Sequence, residues 1–179
     1  MRPLHLAGPV VALLAASSAC TSAAGPELAG LSAAQAALAT EQASARALRV
    51  LGPMVQRGLL DLEAARAADL GRLHIPSLDG VEADQVLDAL AAAVEGRPPD
   101  SGLDLAGAWF LARVRAYRLR ARTPGLAWGG GFRPAALSTG PSPVERAEAS
   151  LLGVEESARA LQSELTLASH RRANRTATR

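Results

Sequence analysis

The side chains with the widest chemical range in this 179-residue chain are a single cysteine, Cys20, and three histidines, His5, His74 and His170. A thiol can attack a carbonyl, bind a soft metal or be alkylated, and an imidazole can ligate zinc or move protons near neutral pH. Each use needs neighbours. His74 lies beside Ile75-Pro76 and His170 beside a run of arginines, and neither has a second histidine or a carboxylate at ligand spacing. No G-x-S-x-G elbow is present. A G-x-x-x-x-G-K-[ST] phosphate loop would need a lysine, which the chain lacks. Gly129-Gly130-Gly131 follows Trp128 and opens no helix, so it is a poor phosphate cradle. The acids of "DGVEADQVLD" (79–88) do not alternate before the glycine as a calcium loop requires. They read instead as a helix start, with Asp79 as N-cap and Glu82 in the first turn against the helix dipole. No catalytic residue, metal ligand or cofactor is assigned.

What remains is Cys20 and its surroundings. Arg2 gives a short positive start, residues 6–16 ("LAGPVVALLAA") form an apolar run too short to span a bilayer, and "SSA" leads into the cysteine. This stretch resembles the signal of bacterial lipoproteins, although Ser17 stands where leucine is usual and the start carries one Arg. The resemblance implies that the Cys20 sulfur takes a diacylglycerol as a thioether and becomes the first mature residue. Thr21 follows, not the aspartate that commonly retains such proteins at the inner membrane. The implied location is the cell envelope, at the outer membrane facing the periplasm where there are two membranes. The alternative is an ordinary secretory signal cut after Ala24 in "TSAAG", which would discard the cysteine.

The elements that would carry any function follow from composition. Hydrophobic residues make up 49% of the chain but aromatics only 3%, so the core is built mainly of Ala and Leu. Runs with period-two alternation are absent, and the expected class is all-α: a small antiparallel bundle of about five helices. The domain plan is a signal peptide over 1–19, an anchor and flexible tether over 20–31, a bundle over 32–170 and a basic tail over 171–179. Ser32 and Gln35 form a capping box for a first helix that Gly52 closes, and Pro53 opens a second helix running to about Leu73. A third helix, about 80–95, buries Ala83, Val86, Leu87, Leu90 and Val94. After the loop "GRPPDSG" (96–102), a fourth runs from about Leu103 to Arg122, with Leu103, Ala106, Phe110, Val114, Tyr117 and Ala121 on one face. The fifth begins with Ser142, Pro143 and Glu145 as cap, first position and box. Val144, Ala147, Leu151, Val154, Ala158, Leu161, Leu165 and Ala168 then alternate steps of three and four as a heptad seam. Its small residues would make a weak dimer, so the seam is expected to pack internally in a monomer.

Charge is unevenly spread, and all 19 basic residues are Arg. Residues 41–100 carry ten acids against six Arg, and residues 101–140 one acid, Asp104, against six Arg. Arg115, Arg118 and Arg122 on the fourth helix and Arg171 and Arg172 near the end are candidate contacts for an anionic surface: lipid heads, an acidic envelope polymer or an acidic protein. The opposing reading is intramolecular, with the acidic third helix neutralising the basic fourth. Export excludes nucleic acid as partner. Trp109 and Tyr117 are expected in the core, whereas Trp128 and Phe132, in the long 123–143 loop, either fold back as a lid or contact a partner. The sequence thus points to a lipid-anchored, non-catalytic binding or scaffolding protein, such as a pilot or accessory lipoprotein of a surface assembly. An envelope enzyme whose residues meet only in three dimensions is the alternative.

Overall fold

The computed structural model describes residues 26–68, 78–95, 99–122 and 140–178. These form four helices: α1 (Pro26–Ala67), α2 (Val81–Val94), α3 (Gly102–Arg122) and α4 (Pro143–Ala177). The all-α expectation holds, but the first two expected helices are one. α1 runs for 42 residues straight through Gly52-Pro53. Proline there removes the bond from residue 53 to the carbonyl of Arg49 and normally breaks a helix. Here Arg49 and Pro53 are both exposed, so the interruption lies on the solvent side of the helix. Meanwhile the buried stripe Thr40, Ser44, Ala47, Leu51, Val55, Gly58, Leu62, Ala65 passes the proline without a gap. Its steps alternate four and three except for two successive fours meeting at Leu51. The second spans Pro53, and such a stutter locally unwinds the packing of paired helices. Burial of Leu51 and Val55 on either side, at about 1.5–3 kcal/mol each, outweighs a proline penalty of about 3 kcal/mol.

The ends of the helices also differ from local expectation. α1 starts at Pro26, so Ser32 lies within it and residues 26–31, assigned to the tether, are its first turns. α2 is capped by Gly80, whose φ of 142° a side chain would strain, and not by Asp79. The Asp79 carboxylate is engaged elsewhere. α3 is capped by Ser101, whose Oγ accepts from the Asp104 N–H at 3.2 Å. α4 has the full box expected of it: the Ser142 N–H donates to Glu145 Oε2 at 2.5 Å, and the Glu145 N–H donates to Ser142 Oγ at 3.2 Å. α4 continues as helix to Ala177, through most of the segment expected as a tail.

Contacts along the helices fix the topology. Thr40 of α1 donates from its hydroxyl to the carbonyl of Ala93 at the end of α2, and Gly107 of α3 packs on Leu90 and Val94. Gly102 at the start of α3 lies against Glu164 of α4, and Gly153 of α4 against Arg113 of α3. Arg66 of α1 pairs with Glu148 of α4. Every neighbouring pair is therefore antiparallel, in an up-down-up-down bundle. Phe110, Val114 and Tyr117 of α3, Val86 and Leu90 of α2, Leu51 and Val55 of α1, and Leu151, Val154 and Leu161 of α4 form the core. The α4 seam is thus internal, with Ala158, Leu165 and Ala168 partly buried at its edge. Trp109, expected in the core, is half-exposed and lies under the Arg113 guanidinium, 5.9 Å from ring centre to cation. Ser44 is fully buried beside Gly107, with no hydrogen-bond partner for its hydroxyl.

Candidate functional site

At the end where α2 begins and α3 finishes, acids of α2 meet arginines of α3. Arg118 is the centre: its Nε donates to Asp79 at 2.8 Å and its Nη2 bonds to Asp84. Arg122 joins Asp79 at 2.9 Å. Only 11% of the Arg118 side chain is exposed. Burial alone would lower its pKa, but the hydrogen bonds to Asp84 and Asp79 outweigh that and hold the guanidinium above its ordinary value. The neighbouring Tyr117 is fully buried, and desolvation, helped by the charge of Asp79, pushes its phenol well above the usual tyrosine range. At the other end of α2, Glu95 takes Arg115 at 2.6 Å. The three α3 arginines singled out by sequence thus face carboxylates of the same molecule, as the intramolecular reading describes.

The opposite pole is built differently. α2 finishes level with Thr40 and α3 starts level with Glu164, so the beginning of α1 and the end of α4 run on past them as a pair. Past the start of α3, residues 165–177 of α4 run on for about 20 Å at 1.5 Å per residue, and past the end of α2 for about one turn. Arg172 pairs with Glu41 across it, and Arg171 lies 3.6 Å from Glu164. Arg175, one turn on, meets no carboxylate among the described residues. Between the two helices and the first turn of α3 is a groove of about 360 Å³. Its floor is Ala34, Ala37, Leu38, Leu103 and Ala168, and its rim is Arg171, Arg172 and Arg175. Glu41 and the buried Asp104 also line it.

Sequence reasoning placed Arg171 and Arg172 without their partners. Glu41 lies 131 residues from Arg172, and no local pattern joins them. Arg175 had a usable signal, since 171, 172 and 175 fall on one helical face. Cys20, His74, Trp128 and Phe132 lie outside the described residues. His170 is exposed on α4. Among the described residues no group of three or more His, Cys, Asp or Glu is placed to hold a metal ion, and no helix is long and apolar enough to cross a membrane. No protein-family model, curated protein or solved structure matches the chain.

Proposed function

We propose that this protein is a lipid-anchored helical bundle of the bacterial cell envelope, held by an acylated Cys20, that acts as a non-catalytic binding or scaffolding component. The carrying observation is the chemistry of the start of the chain. An apolar run and small residues lead to the single cysteine, and only a sulfur can form the thioether. α1 begins six residues after Cys20, so an acyl chain there would hold one pole of the domain near the membrane. With the α4 seam already used inside the bundle, the domain acts as a monomer. Attachment is to the outer membrane on its periplasmic side where two membranes exist, because Thr21 replaces the aspartate of inner-membrane retention. Labelled palmitate should enter the full chain in cells, and the Cys20→Ala form should lose the label. A Cys20→Ala form that labels as before, or a wild-type chain that is exported unlabelled, would sink the anchor.

A further inference from the structure

We propose that the end of the bundle formed by the start of α1 and the end of α4 is a second membrane contact, which lays Arg171, Arg172 and Arg175 on the headgroups of an anionic bilayer. This rests on the lipid-anchor reading, since it takes the bilayer to be near the first turn of α1.

Three observations converge on that end. The first is reach. Residues 21–25 separate Cys20 from the helix, so the tether spans at most about 20 Å. Arg172 is level with Glu41 and Arg175 with about residue 38, some 12 residues or about 18 Å along α1 from Pro26. The two lengths match, so the bundle can tip until this end rests on the surface holding its lipid.

The second is charge. On the protruding stretch of α4, residues 165–178, the charged side chains are Arg171, Arg172 and Arg175 with no acid. The residues of α1 level with this stretch, about 35–48, have Glu41 as their only acid, and residues 26–34 beyond them only Glu27. Of the carboxylates lining the groove, Glu41 is taken by Arg172 and Asp104 is buried, with 4% exposure. Glu164, just above, takes Arg171 through a long contact. These pairs are exposed, and water or a phosphate can replace such a carboxylate at little cost.

The third is the uncovered apolar surface. Ala33, Ala34, Ala37, Leu38 and Ala39 of α1 are exposed here, with Leu38 at 40% and Leu167 of α4 at 49%. Seven residues higher, the positions equivalent to Ala33 and Ala37, which are Thr40 and Ser44, are fully buried inside the bundle. Small apolar side chains beside arginines suit the boundary between headgroups and acyl chains, where an arginine stem lies on apolar surface and its guanidinium meets phosphate. The lipid on Cys20 supplies retention, so this contact sets the tilt of the domain. The opposite pole, where Arg118 is held by Asp79 and Asp84 with its side chain only 11% exposed, then points into the aqueous space.

The test uses the mature chain without its lipidated cysteine, residues 21–179, so that neither an acyl group nor the apolar run of residues 6–16 contributes. Its flotation is compared on vesicles of phosphatidylcholine alone and of phosphatidylcholine with about a third phosphatidylglycerol. Binding should be stronger on the anionic vesicles, by about fivefold for each arginine that reaches the surface, and should fall with added salt. The Arg171→Gln/Arg172→Gln/Arg175→Gln form, checked for helicity, should lose that preference. A control that removes as many charges from the opposite pole, Arg66→Gln/Arg120→Gln/Arg122→Gln, should keep it. Equal binding to both vesicles, or equal loss in the two charge variants, would overturn the proposal, the latter by showing that net charge and not this pole is read. So would a chain that dimerises in sedimentation, becomes monomeric with Leu38→Glu and binds vesicles no differently, because the exposed face would then belong to a second copy. Because acylation is removed throughout, these results stand apart from palmitate labelling, and either reading can fail alone.

Discussion

Pro53→Ala should stabilise this protein. In a continuous α1 the substitution restores an N–H donor to the Arg49 carbonyl and removes a ring that crowds it. The full penalty of an interior proline is about 3 kcal/mol, and alanine gives back up to about 1 kcal/mol through the freer unfolded chain. A net gain of about 2 kcal/mol is expected, which for a domain of this size raises Tm by about 4–8 °C. Gly52→Ala supplies an independent check on sign. A β-carbon there meets nothing within 4 Å, and Gly80 is the one positive-φ glycine among the described residues. In a helix interior the change should add about 1 kcal/mol. Were Gly52 the left-handed closing residue of a separate helix, alanine would instead cost about 1 kcal/mol. Circular dichroism during heating and urea unfolding of the full chain, for each variant and the double variant, read both quantities. A neutral or destabilising Pro53→Ala together with a destabilising Gly52→Ala would refute the continuous helix.

Two further outcomes concern the core and a helix end. Ser44→Ala should raise stability by about 1–2 kcal/mol in the same urea titration, because it deletes a fully buried hydroxyl that has no partner. Glu145 is held below the usual carboxylate range, first by the backbone N–H of Ser142 and then by its hydroxyl. A folded pKa below the unfolded one means that its contribution is complete above the unfolded value, about pH 4.3, and disappears as pH falls through the lower folded value. The Tm difference between wild type and Glu145→Gln should therefore be constant near neutrality and change only below about pH 4.3, and a difference that changes at neutral pH would contradict the box.

Which parts of the fold could be read from the sequence depended on how local the deciding interactions are. The start of α4 is fixed within four residues by the Ser142–Glu145 box, and its seam is regular, so both are legible. The buried faces of α2 and α3 follow from helical spacing between strong loop signals. The start of α2 misled because Asp79 suits a cap by type, yet two arginines 39 and 43 residues away claim its carboxylate. Gly52-Pro53 misled in the same way. Its local chemistry says stop, and the contrary signal was the apolar stripe that continues across it from Ala47 and Leu51 to Val55 and Leu62. Trp109 misled by size alone: it sits one position from Phe110, which occupies the core-facing stripe.

That single misreading at Pro53 changes the functional geometry more than it changes the fold. In an up-and-down bundle each helix reverses the chain, so an odd number of helices puts the two ends of the domain at opposite poles and an even number brings them together. Five helices would carry the arginines after Glu164 to the pole farthest from the start of α1. Four helices return them beside the start of α1, where Arg172 meets Glu41. The same arginines would lie far from the start of α1 in one topology and beside it in the other. The parity of the bundle thus decides what the basic end of α4 can touch, and it turns on whether one solvent-facing proline interrupts the burial of Leu51 and Val55. Since those two side chains are fully packed and Pro53 is exposed, the helix continues and both ends share a pole.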